Sequence, residues 1–407
     1  MKTFLFLALY LVFSCQETNA SPNSSSTTNQ PYVILISLDG FRYDYIDRAK
    51  TPHIDELIRN GVQAEGLIPT FPSKTFPNHY SIVTGMHAGT HGLVDNSFKD
   101  QRYIQETYSP RNTKAVQDKK WYEGEAIWTT AKKNGLKTGS VFWVGSEAVG
   151  KTPDYYLPFD DKLDNKRRID ILLEWLQKDE KERPQLLTLY YSDIDHAGHT
   201  YGPNSSEVIS TVEDIDRIIG YLNAKLKTLP FYENIHLVLV SDHGMSQLSN
   251  ERRISFSKLK EKVNEAELTA YSTGTMLKIF SDDDSKLEKA YNSLASVATD
   301  FKLFTREELK TQLHYGHPYR CPDLVAVPND GYLITDNAVS GGTHGFLPTD
   351  KSMQGIFIAS GKQFIQGKKI DAFENVHIYP ILTKLLNLTY THKIDGTHSI
   401  SDKIFKK

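Results

Sequence analysis

The chain has 407 residues, a formal charge of −3 and 24% charged residues, so it has no basic field suited to nucleic acid, and no duplex partner is expected. With 39% hydrophobic and 11% aromatic residues it can bury a large core, which excludes a disordered chain.

The chain opens with Lys2 and an apolar run, Phe4–Phe13, too short to span a bilayer and typical of a secretory segment. Cys15 follows, then a Ser/Thr/Asn-rich stretch to Gln30 with no apolar periodicity. Residues 1–20 read as a signal segment, 21–30 as a tether and 31–407 as one folded domain. Two fates compete. Cleavage after Thr18-Asn19-Ala20 would free the protein. A bacterial-type lipoprotein signal would instead lipidate Cys15 and attach it to a membrane, although Phe13 is an imperfect residue for that motif. The lipoprotein is the better motif fit, and either route exports the chain, to the periplasm or outer membrane as a lipoprotein or, in the alternative, as a secreted protein. Cys321 is the one other cysteine, so no disulfide is expected within the domain.

Tyr32–Leu38 is a continuous apolar, β-branched run, read as a buried parallel strand ending at Asp39. Thr51-Pro52 opens a helix over His53–Asn60, closed by Gly61. Phe71–His79 forms a loop stiffened by Pro72 and Pro77 with Thr75 at its centre, and a helix is expected from His79. Gly85–Asn96 is a glycine-rich loop. Further helices are expected at Glu125–Asn134, Ile169–Gln177, Ser206–Thr228, Asp284–Val297 and Val376–Leu386. Strands are expected at Lys137–Trp143, Gln185–Tyr191, His236–Val240, Leu324–Val327 with its neighbour Gly331–Thr335, and a final one at Ile356–Ala359. The alternation gives an α/β fold, a mainly parallel sheet sandwiched by helices, with a smaller lobe inserted at about 256–329.

Ligands of open parallel sheets bind beyond the carboxyl ends of strands. Asp39, Asp195, Asp242 and His243 lie at or just past such ends. In Asp195-His196-Ala197-Gly198-His199 a carboxylate and an imidazole four residues apart can converge on one cation, the glycine allowing a tight turn between them. His344, in the loop Ser340–Phe346, is a third imidazole that can approach a metal. His87 and His91 read as ordinary loop residues, His196 as pointing away from the ligands, and Trp128 and Trp143 as core. Mixed His and Asp donors suit zinc or a similar ion. Thr75, on a rigid loop ahead of a helix, is placed for work on an anion.

These segments, LISLDGFR (35–42), PTFPSKTFPNHYSIVTGMH (69–87), HGLVDNSF (91–98), DIDHAGHTYGP (193–203), SDHGM (241–245) and GTHGF (342–346), resemble the nucleotide pyrophosphatase/phosphodiesterase family of the alkaline phosphatase superfamily, in the family's order. The resemblance implies an alkaline-phosphatase-like fold and two zinc ions, one on Asp195, His199 and His344, the other on Asp39, Asp242, His243 and the hydroxyl of Thr75. It implies Thr75 as the nucleophile and Asn96, with a backbone N–H near Thr75, as the donor to a phosphoryl oxygen. Phe76, Phe159 and Tyr190 match positions that stack on or border a nucleobase. The implied reaction is hydrolysis of nucleotides, such as ATP to AMP and pyrophosphate, and of phosphodiesters, through a phosphothreonine. The alternatives are a choline-lipid phosphodiesterase, in which Asp193 and Tyr191 line the pocket, a phosphomonoesterase, or a surface lipoprotein that only binds.

Overall fold

The computed structural model describes residues 30–406. The signal, the tether up to Asn29 and Cys15 therefore lie outside the described residues. Eight strands form the main sheet, in the order Lys368–Ile370, Gly61–Ala64, Phe357–Ser360, Ile235–Val240, Tyr32–Leu38, Leu186–Tyr191, Thr138–Val141 and Tyr155–Leu157. Tyr32–Leu38 is the centre, parallel to Ile235–Val240 on one side and to Leu186–Tyr191 on the other. All seven of its residues are buried. Val33 and Leu35 face one core and Tyr32, Ile34, Ile36 and Leu38 the other, the two-residue period of a strand covered on both faces.

The first core packs the sheet against helices Thr75–Thr84, Ile127–Lys133 and Ile378–Leu385; the second against Pro52–Arg59, Asn165–Leu176, Asp193–Tyr201 and Ser206–Leu226. Trp128 and Trp143 lie in the first. The α/β sandwich is as expected, with local differences. Phe357–Ser360 runs antiparallel to both neighbours and is not the final strand, because Lys368–Ile370 closes the edge beyond it. Leu333–Ile334 pairs with Arg253–Ile254 rather than with Leu324–Pro328.

The inserted lobe has its own antiparallel sheet, ordered Ala270–Ser272, Leu277–Ile279, Leu324–Pro328 and Phe301–Thr305. Helices Phe256–Asn264 and Asp284–Ala295 complete a separate small core around Leu259, Val263, Leu277, Ile279 and Leu294. Cys321 is buried and free. Among the described residues no helix is long and apolar enough to cross a membrane.

Candidate active site

Three adjacent parallel strands end at one edge, because Leu38 pairs with Tyr191 and Ser37 with Val240. That register brings Asp39, the Asp193–Tyr201 helix and Asp242-His243 to one level. Asp195 sits inside this helix rather than on a turn, so Asp195 and His199 share a face by their spacing of four. Gly198 has a packing role instead: a Cβ there would meet Met245 Cε at 2.8 Å. His196 is exposed on the other side, as expected.

Each of the three expected imidazole ligands is oriented by a backbone carbonyl. Nδ1 of His199 donates to Gly342 O (2.9 Å), that of His344 to Ser73 O (2.9 Å) and that of His243 to Gly244 O (2.8 Å). The tautomer this fixes turns every Nε2 inward as a lone-pair donor. His199 Nε2 stands 3.4 Å from Asp195 Oδ1 and 3.1 Å from His344 Nε2, and His344 Nε2 is 3.7 Å from Asp195 Oδ1. His243 Nε2 lies 3.0 Å from Asp242 Oδ2, 3.4 Å from Asp39 Oδ1 and 3.3 Å from Thr75 Oγ1. The rings of His243 and His344 stack with centroids 3.5 Å apart, which joins the two groups.

The donor set calls for positive charge. Asp39 Oδ1, Asp195 Oδ1 and Asp242 Oδ2 are buried oxygens with no hydrogen-bond partner, and two inward lone pairs face each other at His199 and His344. Burial, then the neighbouring Asp242 and Asp195 charges, push the Asp39 carboxyl well above its ordinary range. Burial also raises Asp195 and drives His344 well below the usual imidazole value. At Asp242 burial acts in the same upward direction, but His243 and His79 outweigh it and hold the carboxyl at about 2. Buried carboxylate oxygens and imidazole nitrogens at these spacings are what cations such as zinc coordinate.

Thr75 is the first residue of the helix Thr75–Thr84, four residues earlier than expected, with Lys74 extended as its cap. Pro77 causes no break because the first turn has no intrahelical N–H bond to lose. His79, one turn on, is a site residue that the sequence reading took only as the start of the helix. Its Nδ1–H donates to Thr75 O (2.8 Å) and its Nε2 accepts from the Ser37 hydroxyl (2.8 Å). Nδ1 is also 3.4 Å from Asp242 Oδ2, and Asp39, His79 and Asp242 cluster within 4.8 Å. With both ring nitrogens engaged, His79 orients Thr75 and Asp242 rather than offering a lone pair. Asn96 Oδ1 accepts from the N–H of Phe76 (2.9 Å), the residue next to Thr75.

Phe159 is 51% exposed and packs edge-on to Tyr190 at 6.2 Å; Phe76 is half-buried against Tyr108. Tyr190 is 9% exposed, and its hydroxyl donates to Asp39 Oδ2 at 2.6 Å, a contact its expected place beside a base did not foresee. His87 is a loop residue that precedes a short helix, Ala88–His91, whereas His91 is that helix's last residue rather than part of a loop; His87 stacks on His314 and His91 bonds Ser81.

Residues 33–347 match the family described as type I phosphodiesterase / nucleotide pyrophosphatase. The chain belongs to this family. It is 33% identical over 407 residues to human ectonucleotide pyrophosphatase/phosphodiesterase family member 1, covering 96% of this chain but only 44% of that protein. It is 31% identical to the bis(5'-adenosyl)-triphosphatase of Xenopus laevis, covering 95% of this chain and 84% of the relative. Among solved structures, murine ectonucleotide pyrophosphatase/phosphodiesterase 5, an inactive threonine-to-alanine variant in complex with AMP, superposes with a TM-score of 0.83 at 30% identity, over 93% of this chain and 100% of that one. Its human counterpart gives 0.84 at 29% identity, over 92% and 100%.

Proposed function

We propose that this chain is a metal-dependent phosphodiesterase and nucleotide pyrophosphatase that uses Thr75 as its nucleophile. The observation that carries the reading is the Thr75 hydroxyl at a helix N-terminus, 3.3 Å from His243 Nε2 and beside buried carboxylate oxygens without partners. Asp195, His199 and His344 would hold one zinc ion, and Asp39, Asp242, His243 and Thr75 Oγ1 a second. Bound there, the ions would supply Lewis acidity that stabilises the Thr75 alkoxide and draws charge from the phosphoryl oxygens.

In this reading Thr75 Oγ attacks phosphorus in line, and the bond to the leaving alcohol or pyrophosphate breaks to give a phosphothreonine. Water then attacks the same phosphorus, and the bond to Thr75 breaks to release the nucleoside monophosphate. Asn96 Nδ2 and the N-terminal end of the helix stabilise the developing charge. His79 holds the Thr75 backbone, and Tyr190 holds Asp39. Phe76 and exposed Phe159 offer faces for the base, worth about 1–3 kcal/mol each. AMP in the murine neighbour and the inactivity of its threonine-to-alanine variant support both the nucleotide and the nucleophile. A choline pocket built on Tyr191 is less well supported, because that ring is buried with its hydroxyl on Asn165 O (3.3 Å).

The test is the product pattern from ATP with zinc-loaded protein. AMP with pyrophosphate supports the reading; ADP with phosphate removes the role of Asn96; turnover of a choline diester alone moves the substrate to lipids. Metal analysis should find about two zinc ions per chain, and chelation should abolish turnover. We also propose export with attachment through Cys15, tested by fractionating cells that carry Cys15→Ala.

A further inference from the structure

We propose that the inserted lobe is a positioning element for the nucleophile: its Lys278 latches a ring of side-chain and backbone hydrogen bonds that grips Thr75 from both flanks. The proposal rests on the reading of Thr75 as nucleophile.

The ring runs through four residues. Lys74 Nζ donates to Asp95 Oδ1 (3.0 Å), and the same oxygen accepts the Asn96 N–H (2.7 Å). Asn96 Oδ1 in turn accepts the Phe76 N–H (2.9 Å). Lys74 and Phe76 are the chain neighbours of Thr75, so one linkage spans it and ties it to Asn96. The lobe closes on this ring from outside. Lys278 Nζ donates to Asp95 Oδ2, and Thr273 Oγ1 accepts from Lys74 Nζ at 3.3 Å.

Nothing in the lobe's own folding calls for Lys278. Its neighbours Leu277 and Ile279 fill the lobe core, and strand alternation sends Lys278 to the opposite face. Lys74, Asp95 and Lys278 are all buried, and one carboxylate is shared by two lysines where one would neutralise it. Keeping a second buried charge is unfavourable unless it does something else. The latch also reaches the ligand loop. A Cβ on Gly345, next to His344, would stand 2.9 Å from Lys74 Cε and 2.5 Å from Thr275 Oγ1 of the lobe.

The test compares Lys278→Met, Lys278→Arg and a control, Leu294→Ala, which loosens the lobe core without touching the ring. The readouts are kcat and KM on a nucleotide diester, and amide hydrogen exchange of residues 70–80 in metal-free protein. Lys278→Met should lower kcat about 10- to 100-fold with KM nearly unchanged and speed exchange in 70–80. Lys278→Arg should restore most of both, while Leu294→Ala should speed exchange in the lobe and leave kcat near wild type. Either normal kcat or unchanged exchange in Lys278→Met overturns the proposal, as does Leu294→Ala reproducing the kcat loss. Turnover surviving in Thr75→Ala overturns the nucleophile reading and this proposal with it; unchanged exchange in Lys278→Met overturns the proposal alone.

Discussion

Tyr190 carries two duties within one side chain: its ring packs edge-on to His79 at 5.1 Å, and its hydroxyl fixes Asp39. Tyr190→Phe keeps the packing and removes one bond to Asp39, a carboxylate proposed as a metal ligand. Metal affinity should fall about 10- to 100-fold, read by competition with a chelator. Thr75→Ala should abolish turnover and leave metal content near normal, which product assays and metal analysis check together. Away from the site, Asp350 Oδ2 and Asp330 Oδ1 are buried oxygens that lack partners. Burial and the Asp330 charge raise the Asp350 carboxyl to about 6. A carboxyl that holds its proton more tightly when folded stabilises the fold at low pH and loses that stability as pH rises through the folded value. Asp350→Asn should therefore raise Tm at pH 8 and change it little at pH 4.

Elements took their boundaries from distant partners as much as from local signals. Helix Pro52–Arg59 follows Thr51-Pro52 as its sequence suggests, yet Thr51 makes no capping bond. Asp216, on the long helix Ser206–Leu226, accepts the N–H groups of His53 (3.1 Å) and Ile54 (2.8 Å) instead. Asp216→Ala should cost about 1–2 kcal/mol in urea unfolding, the loss of a cap and of a favourable charge at a helix N-terminus. The Asp193–Tyr201 helix was hidden for a related reason. Its glycine and its polar residues read as a turn, and the close packing of Gly198 on Met245 that makes glycine suitable in a helix is a contact between separate segments.

For the whole molecule, the lobe and the sheet domain are joined through buried polar contacts. Arg320 is 2% exposed; its Nε donates to Asp100 Oδ2 at 2.6 Å and its Nη1 to the carbonyls of Gly92 and Trp121, both at 2.8 Å. Tyr315 OH adds a bond to Val94 O at 3.0 Å. Arg320→Met would leave buried Asp100 with the partly exposed Arg102 and orphan three carbonyls, those of Gly92, Trp121 and Lys120. The loss should be about 3–5 kcal/mol in urea unfolding.

The α/β class, the inserted lobe and the strand-end candidates Asp39, Asp242 and His243 were legible because their signals are local; the full proposed ligand set came from the resemblance. An apolar β-branched run such as Tyr32–Leu38 reads as a buried strand, and a carboxylate or imidazole at its end reads as a ligand without knowledge of any partner. Tertiary structure alone decided which groups meet. His344 is oriented by Ser73, 271 residues away, and Asp95 is latched by Lys278, 183 residues away. No periodicity in the chain encodes such pairs; they follow from strand order, register and the path of the lobe. His79 was missed for the same reason: its role lies in bonds to Ser37, Thr75 and Asp242, and only packing brings those three together.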